Sequence, residues 1–430
     1  MTSSKSGILR HQLLVAAAAW LTLLTPAARA GTFAEFLTDA GVEPAQLAEL
    51  ADAIDAGRVL TDQEVNTARE VLTRLRQLSA SATNEKLAAQ QAAQADAPGA
   101  LVQIRGDVAA IQALATPEDA EAAIAQSAAR PTHILTVTSP EGPWKVLMGE
   151  IPRAWRGESI SADAPAPIVT TAVVLRPRST EGQEGVALAA RTAWYPREGV
   201  PPGWQWLAAH GFDVGLLDEV RHNAPFVKPS VSREGEAFHE CLRAVAAGTP
   251  VELEQMARAE VLRIRDDPKF AASLVQESTD EPAAELAKTE QLVHAMQEAA
   301  AGGTTSVAPM FLRPQETAGR FVLVEGVVRR AVQVLEANGA EGEAAARADA
   351  KAEPRVSHYE LELFTNDSQD LPIVCCVARL PDGFPLGDSI RESARVGGVF
   401  FKLWSYGGRP DEDGVSHRTR GPVVMAAAPT

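Results

Sequence analysis

The sequence predicts an α+β protein made by tandem duplication, in which two small five-stranded β units alternate with helical segments. Two internal repeats and the composition carry that expectation. PWKVLMGEIPRAWRGESI at 143 to 160 matches PIVCCVARLPDGFPLGDSI at 372 to 390, with Pro143 on Pro372, Pro152 on Pro381, Trp155 on Phe384 and Ile160 on Ile390. Residues 36 to 75 align without a gap on 206 to 245, so that Gly41 meets Gly211, Leu47 meets Leu217, Glu64 meets Glu234 and Val71 meets Cys241. A repeat is sought before any fold is named, because one unit used twice halves the problem. With 430 residues, 46% hydrophobic and 22% charged, the chain has the proportions of a globular protein of two to four domains, and its excess of Ala over aromatic residues favours helix.

Residues 1–30 read as a secretory signal. Lys5 and Arg10 precede an uncharged run from Leu13 to Leu24, and Ala28-Arg29-Ala30 offers a small-x-small cleavage site before Gly31. The run is short for a bilayer span, so cleavage and release to the periplasm or the exterior are favoured over a retained N-terminal anchor. No second apolar stretch approaches spanning length, so the mature chain is expected to be soluble, without an integral membrane span. The net charge of −16 becomes −19 without the three basic residues of the signal. That sign repels a phosphate backbone and makes nucleic acid an unlikely partner.

Residues 31–80 form the first helix-pair module, two amphipathic helices of which the second opens at Thr61 with Glu64 as its capping partner. Residues 81–100 are an Ala-rich linker. The first β domain, 101–196, starts with VQIRGDVAAI, continues with the alternating HILTVTSPEG from His133, and ends with VALAARTAWYP from Val186. The second helix-pair module covers 197–250. In the helical insert and linker, 251–317, Thr249-Pro250-Val251-Glu252 makes a capping box, Asp267-Pro268 ends that helix, and a helix from Pro282 stops at Gly302-Gly303. The second β domain, 318–430, repeats the first: VLVEGVVRRA carries Gly326 where VQIRGDVAAI carries Gly106, HYELELFTNDSQD follows from His358, and PVVMAAAPT closes it. Residues 338 to 353 between its first two strands read as a charged, Ala-rich loop.

Five short strands with an early mid-strand glycine resemble an OB-fold, the partly open five-stranded barrel. The resemblance implies ligand binding on the sheet face and adjoining loops, with oligonucleotides or oligosaccharides as frequent partners. It lacks the helix usual between the third and fourth strands, which a short loop replaces here. As a whole the chain resembles uncharacterised exported bacterial proteins with paired domains of this kind.

ARVGGVFFKLWSY at 394 to 406 is the most aromatic stretch of a chain with only 5% aromatic residues. Strand alternation puts Val399, Phe401 and Leu403 on one face, the expected barrel core, and Phe400, Lys402, Trp404 and Tyr406 on the other. The first copy aligns Val169, Thr171 and Val173 with the former set and Thr170, Ala172, Val174 and Arg176 with the latter, so the aromatic face is peculiar to the second copy. Phe400, Lys402, Trp404 and Tyr406 are the candidate binding residues, although a packed helix is expected to cover Phe400, Trp404 and Tyr406 in preference to a ligand.

No GxSxG, GxxxxGK[ST] or GxGxxG occurs, and no catalytic residue, metal site or cofactor is expected. Cys375 and Cys376 point to opposite faces of a strand and read, with Cys241, as small buried hydrophobes; no CxxC or Cys/His cluster accompanies them in the sequence. His210, His222 and His239 lack metal-ligand spacing. Asn366 to Asp370 reads as a polar hairpin turn, and Trp204, Trp206, Phe212 and Phe226 as helix anchors. The expected function is an exported, soluble binding or scaffolding protein of the cell envelope with an envelope protein as partner. The alternatives are an envelope hydrolase with a site between modules at His210, Asp213 and His239, and a binder of oligosaccharide or nucleic acid on the sheet face.

Overall fold

The computed structural model describes residues 32–78, 83, 86–87, 97–114, 131–156, 166–178, 183–226, 232–275, 282–335, 356–410 and 416–430. The signal segment, most of the linker 81–100 and the loop 338–353 lie outside the described residues. Among those described, no helix is long and apolar enough to cross a membrane.

Two sheets with one topology dominate the molecule. The first has strands β1 (Leu101–Ala113), β2 (His133–Ser139), β3 (Gly142–Met148), β4 (Ala166–Arg176) and β5 (Gly185–Ala189), hydrogen-bonded in the order β1-β2-β3-β5-β4 with β4 returning to β1. A two-residue strand, β6 (Ala193–Trp194), adds to β4. The second has β7 (Phe321–Leu335), β8 (Val356–Phe364), β9 (Ile373–Val377), β10 (Glu392–Pro410) and β11 (Ser416–Ala426), closed as β10-β11-β9-β8-β7. The third and fifth strands run parallel in each sheet and the other ring contacts are antiparallel. Both units are thus OB-like five-stranded rings, as the sequence repeat predicts.

The mid-strand glycines explain how each ring closes. Gly106 pairs with Ile168 of β4, and one residue later Asp107 already pairs with Thr138 of β2; Gly326 pairs with Ala394, and Val327 with Phe364. The first strand must therefore pass from one neighbour to the other at that point. A Cβ on Gly106 would run into the carbonyl of Thr138, and one on Gly326 into the carbonyl of Phe364. Hydrogen is the only side chain that lets the backbones approach so closely.

The helical units contain three turns rather than two. In the first, α1 (Phe33–Asp39), α2 (Pro44–Asp55) and α3 (Asp62–Gln77) follow one another. In the second, α4 (Pro202–Ala209), a 3-10 turn (Val214–Glu219) and α5 (Glu234–Ala247) take their places. The extra break is a left-handed glycine: Gly41 has φ 81° and Gly211 φ 84°. Val42 donates its N–H to the Leu37 carbonyl and Phe212 to that of Leu207, the same Schellman stop in both copies. Thr61 and Glu64 cap α3 reciprocally, as expected. Glu234 does not repeat that role, because α5 begins at Glu234 itself and its carboxylate is used elsewhere.

Beyond α5 come α6 (Pro250–Asp266), α7 (Pro268–Ser273), α8 (Pro282–Ala301), α9 (Ala308–Leu312) and α10 (Pro314–Thr317). Only half of the expected box at Thr249 forms: its hydroxyl accepts the Glu252 N–H, while the Glu252 carboxylate accepts Trp206 Nε1–H at 2.7 Å. The turn at 366 to 370 is polar, as expected, with Gln369 and Asp370 at positive φ, and Asp367 also accepts the Val307 N–H ahead of α9.

Each helical unit packs on the same outer face of its own barrel. Leu50, Val71 and Leu72 share a core with Leu101, Leu147, Val173, Leu175 and Leu188. In the second copy Cys241, Leu242 and Val245 share one with Phe321, Cys376, Val399, Phe401 and Met425. That second core also contains the interior of the first barrel, with Ile104, Val137 and Val146, so the helices from α4 onward join the two modules. Trp155, Trp194 and Trp204 form an edge-to-face chain at 5.5 and 6.0 Å along this junction, and Trp204 donates to the Ala318 carbonyl. Trp204, Trp206 and Phe212 thus serve as anchors.

Candidate functional site

The strand carrying the candidate residues slips by one position halfway along. Phe400 pairs with Val424, but Lys402 pairs with Val423, so Phe401 is the extra residue of a β-bulge. Simple alternation is therefore corrected: Phe400 and Leu403 lie in the barrel interior, while Val399 and Phe401 face the helices. The same bulge occurs in β4, where Val174 pairs with Ala187 and Arg176 with Val186. Since Leu101 meets Val173 and Phe321 meets Val399, the true equivalents of Phe400 and Lys402 are Val174 and Arg176, four residues from the alignment made on sequence for the former. Phe400 is thus a core residue, in the place of an aliphatic one.

Lys402 is the centre of a buried polar knot. Its side chain and that of Glu234, the first residue of α5, are both 0% exposed, with Nζ 2.5 Å from the Glu234 carboxylate. Nζ also donates to the Pro225 carbonyl at 3.2 Å and stands 4.4 Å above the Phe226 ring. The same Glu234 oxygen accepts the Arg221 N–H. Desolvation pulls the Lys402 ammonium below its ordinary pKa, against the opposing pull of Glu234. What covers the strand is not a helix but the segment 222 to 225. Asn223 donates to the Leu403 carbonyl, Leu403 donates its N–H to His222 Nδ1, and Ala224 bridges Trp404. Trp404 and Tyr406 remain half-buried, their rings 4.6 Å apart, with Phe226 6.0 Å from Trp404. In the first copy Arg176 likewise reaches an acid of its own helical unit, Asp55 of α2, which also takes Lys145 at 3.0 Å.

Beside this knot a polar cleft opens between the modules. One part, about 530 Å³, is lined by Arg153, Asp218, Arg221, His222, Leu312 and Arg313 among others. A second part of about 270 Å³ and a third of about 180 Å³ share Arg153 and Asp218 with it, and the third adds Arg156, Arg191, Asp213 and Arg233. Several titratable groups here already serve the backbone. Asp218 accepts the Arg153 N–H at 2.7 Å, capping the short 3-10 turn Arg153–Trp155 from the other module, and burial raises its pKa. Asp213 accepts the N–H groups of Trp194 and Gly215, yet burial still pushes it up to about 6. Burial, with Lys402 and Arg153 nearby, drops His222 to about 4, so it is neutral with Nδ1 as acceptor. Arg191 is held below its usual value by burial and by Arg233.

The residues named for a hydrolytic site do not converge as a set. His210 stacks on Trp206, Asp213 caps its 3-10 turn, and His239 lies edge-on to Phe238. Among the described residues, the group of His, Cys, Asp or Glu side chains whose donor atoms do come within 4.8 Å of one another is a different one, His358, Glu360 and Cys376. Cys241, Cys375 and Cys376 are buried and unbridged, and burial raises each thiol, Cys375 to about 12. Cys375 faces the barrel interior and Cys376 the helices, as strand alternation predicts. Sequence reasoning missed Glu234 and His222 in the knot, and the Cys/His cluster it found no sign of is formed across β8 and β9.

The fold and the cleft define a tandem of two OB-like modules bridged by helices. Comparison with family models, curated proteins and solved structures finds no match to the chain.

Proposed function

We propose that this is an exported, soluble binding or scaffolding protein of the cell envelope, and that it holds an acidic segment of an envelope protein in the cleft between its modules. The observation that supports this reading is the lining. In a chain of net charge −16, six arginines, Arg153, Arg156, Arg191, Arg221, Arg233 and Arg313, line the adjoining parts of the cleft beside five acids, Glu150, Asp213, Asp218, Glu219 and Glu316, with Arg191 paired to Glu219 and Arg233 to Glu236. Arg153, Arg156 and Arg221 are exposed there, and the carboxylates of Asp213 and Asp218 are committed to backbone N–H groups. Guanidinium groups on a polar, open surface suit the forked recognition of carboxylates, and the exposed Leu312 adds an apolar contact. Half-buried Trp404 and Tyr406 pack on each other, with Phe226 against Trp404, and are not among the residues that line the cleft.

Affinity capture from envelope extract tests the proposal, with the wild-type chain beside Arg153→Glu/Arg221→Glu. Both side chains are exposed, so the double variant should fold, and the captured partner should be lost or fall by more than about tenfold, the effect of removing roughly 1.4 kcal/mol of pairing. A partner retained in full by the double variant refutes the cleft as its seat. A hydrolytic activity abolished by changing His222 or Asp218 would instead establish an enzyme.

A further inference from the structure

The duplication supplies an internal control for every buried side chain, and one group of positions departs from it. His133 pairs with Met148 in the first barrel and Tyr359 with Val377 in the second. Met148 in turn meets Ala189 and Val377 meets Ala426, so these positions correspond. Hence Glu360 stands where the first copy has Ile134, His358 where it has Thr132, and Cys376 where it has Leu147. The aligned helical units add Cys241 at the place of Val71. In the first copy Ile134, Leu147 and Val71 belong to one apolar core between helices and barrel. The fold therefore needs no polar group at the positions of Glu360, Cys376 and Cys241, while at that of His358 the first copy has the exposed Thr132.

The second copy has put four metal-ligating residues of three types into that seam. His358 is 4% exposed; its Nδ1 lies 3.2 Å from the Ser357 hydroxyl, while Nε2 is buried without a hydrogen-bond partner. Glu360 Oε1 is 3.6 Å from that nitrogen, too far for a good hydrogen bond. The Phe238 ring of α5 walls the site edge-on at 5.3 Å. Cys241 lies in the same buried core as Cys376, outside the group whose donor atoms stand within 4.8 Å of one another. A buried acceptor or donor left unmade costs about 1–3 kcal/mol, and here the orphaned atom is the His358 ring nitrogen.

We propose that His358 Nε2, the Glu360 carboxylate and Cys376 Sγ bind one zinc ion between barrel two and α5, with Cys241 Sγ as the fourth ligand. Nitrogen, oxygen and thiolate together suit zinc and are foreign to calcium or magnesium. Ser357 fixes the imidazole through its other nitrogen, the usual outer-shell arrangement of a ligating histidine. The donor atoms of the first three residues stand within 4.8 Å of one another. Tetrahedral zinc with bonds of about 2.0–2.3 Å draws its ligands to roughly 3.3–3.8 Å apart, so shifts of up to about 1.5 Å bring these three together, and a turn of Cys241 toward them completes the site. Each cysteine exchanges its thiol proton for the metal, so binding releases protons and tightens as pH rises. With His358 and Cys376 buried and Glu360 partly open to solvent, the site acts as a clamp between helix and barrel.

Metal uptake by the purified full chain under reducing conditions tests this. After stripping with a chelator, it should take up one zinc per chain and melt at a higher temperature with zinc than without. Cobalt(II) in place of zinc should give a thiolate-to-metal charge-transfer band. His358→Thr, Glu360→Ile and Cys376→Leu install the residues of the first copy; each should fold, lose the zinc-dependent rise in Tm, and bind zinc more than about 100-fold more weakly. Cys241→Ala should weaken binding and shift the cobalt spectrum, and Cys375→Ala should change neither. If Cys376→Leu fails to fold, Cys376→Ser reads the same loss of the band. A stripped wild type that takes up neither zinc nor cobalt overturns the proposal, as does a Cys376 variant that binds like wild type. Unaltered binding by Cys241→Ala removes the fourth ligand.

Discussion

Lys402→Met separates a buried ion pair from its exposed counterpart in the same fold. At 2.5 Å and an effective dielectric of about 20, the attraction to Glu234 is roughly 6–7 kcal/mol. Stripping water from two ions costs several kcal/mol each, so the pair as a whole is close to neutral against two uncharged side chains. Removing one partner is different, because the other charge stays buried. Lys402→Met leaves the Glu234 carboxylate with the Arg221 N–H and should cost about 3–5 kcal/mol. Glu234→Gln keeps that acceptor but strands the ammonium, and should cost a comparable amount. The double variant should return to within about 1 kcal/mol of wild type, giving a coupling of at least about 5 kcal/mol. In the first copy, Arg176→Met should cost no more than about 1 kcal/mol, since Arg176 and Asp55 are 20% and 32% exposed and Asp55 keeps Lys145. Urea unfolding of all four second-copy chains and of Arg176→Met measures these terms. Additive single costs, or a Lys402→Met penalty no larger than that of Arg176→Met, would refute the reasoning.

Gly326→Ala should destabilise the protein by about 1–3 kcal/mol by forcing a Cβ against the Phe364 carbonyl. Gly41→Ala, strained only by its φ of 81°, should cost about 1 kcal/mol; equal urea midpoints for the two would contradict the close approach. His222 and Asp213 should act oppositely on stability against pH. The folded pKa of His222, about 4, lies below its ordinary 6.5, so its contribution is present above 6.5 and lost as pH falls through 4. That of Asp213, about 6, lies above 3.8, so its contribution is present below 3.8 and lost as pH rises through 6. Each is worth about 3 kcal/mol at 1.36 kcal/mol per unit. The two contributions nearly cancel between pH 4 and 6, so relative to wild type His222→Gln should lose stability as pH rises there and Asp213→Asn should gain it. Parallel profiles for the two variants would show that the titrations lie elsewhere.

The strand repeat, Gly106 with Gly326, and the aligned Pro143 and Pro372 were enough to read two copies of one β unit. The helical repeat was legible in its apolar positions but not in its number of turns. A left-handed glycine and a glycine inside a helix look alike as letters, and Gly41 differs from Gly235 only in φ. The ring order was carried by the resemblance, not by any residue, because strand pairing is a long-range property. The bulge at Phe401 was invisible for the same reason: it changes the partner, Val424 to Val423, without changing the apolar pattern of the strand.

By itself the sequence determined the duplication, the alternation of helical and strand units, and the burial of the cysteines on opposite strand faces, all of which follow from local periodicity and chain order. Tertiary structure alone decided that Phe400 lies inside the barrel and that Lys402 meets Glu234. It also decided that His358, Glu360 and Cys376 converge while His210, Asp213 and His239 do not. Residues far apart in sequence become neighbours through ring closure and the docking of α5, and a single-residue slip in pairing selects which side chains face the core.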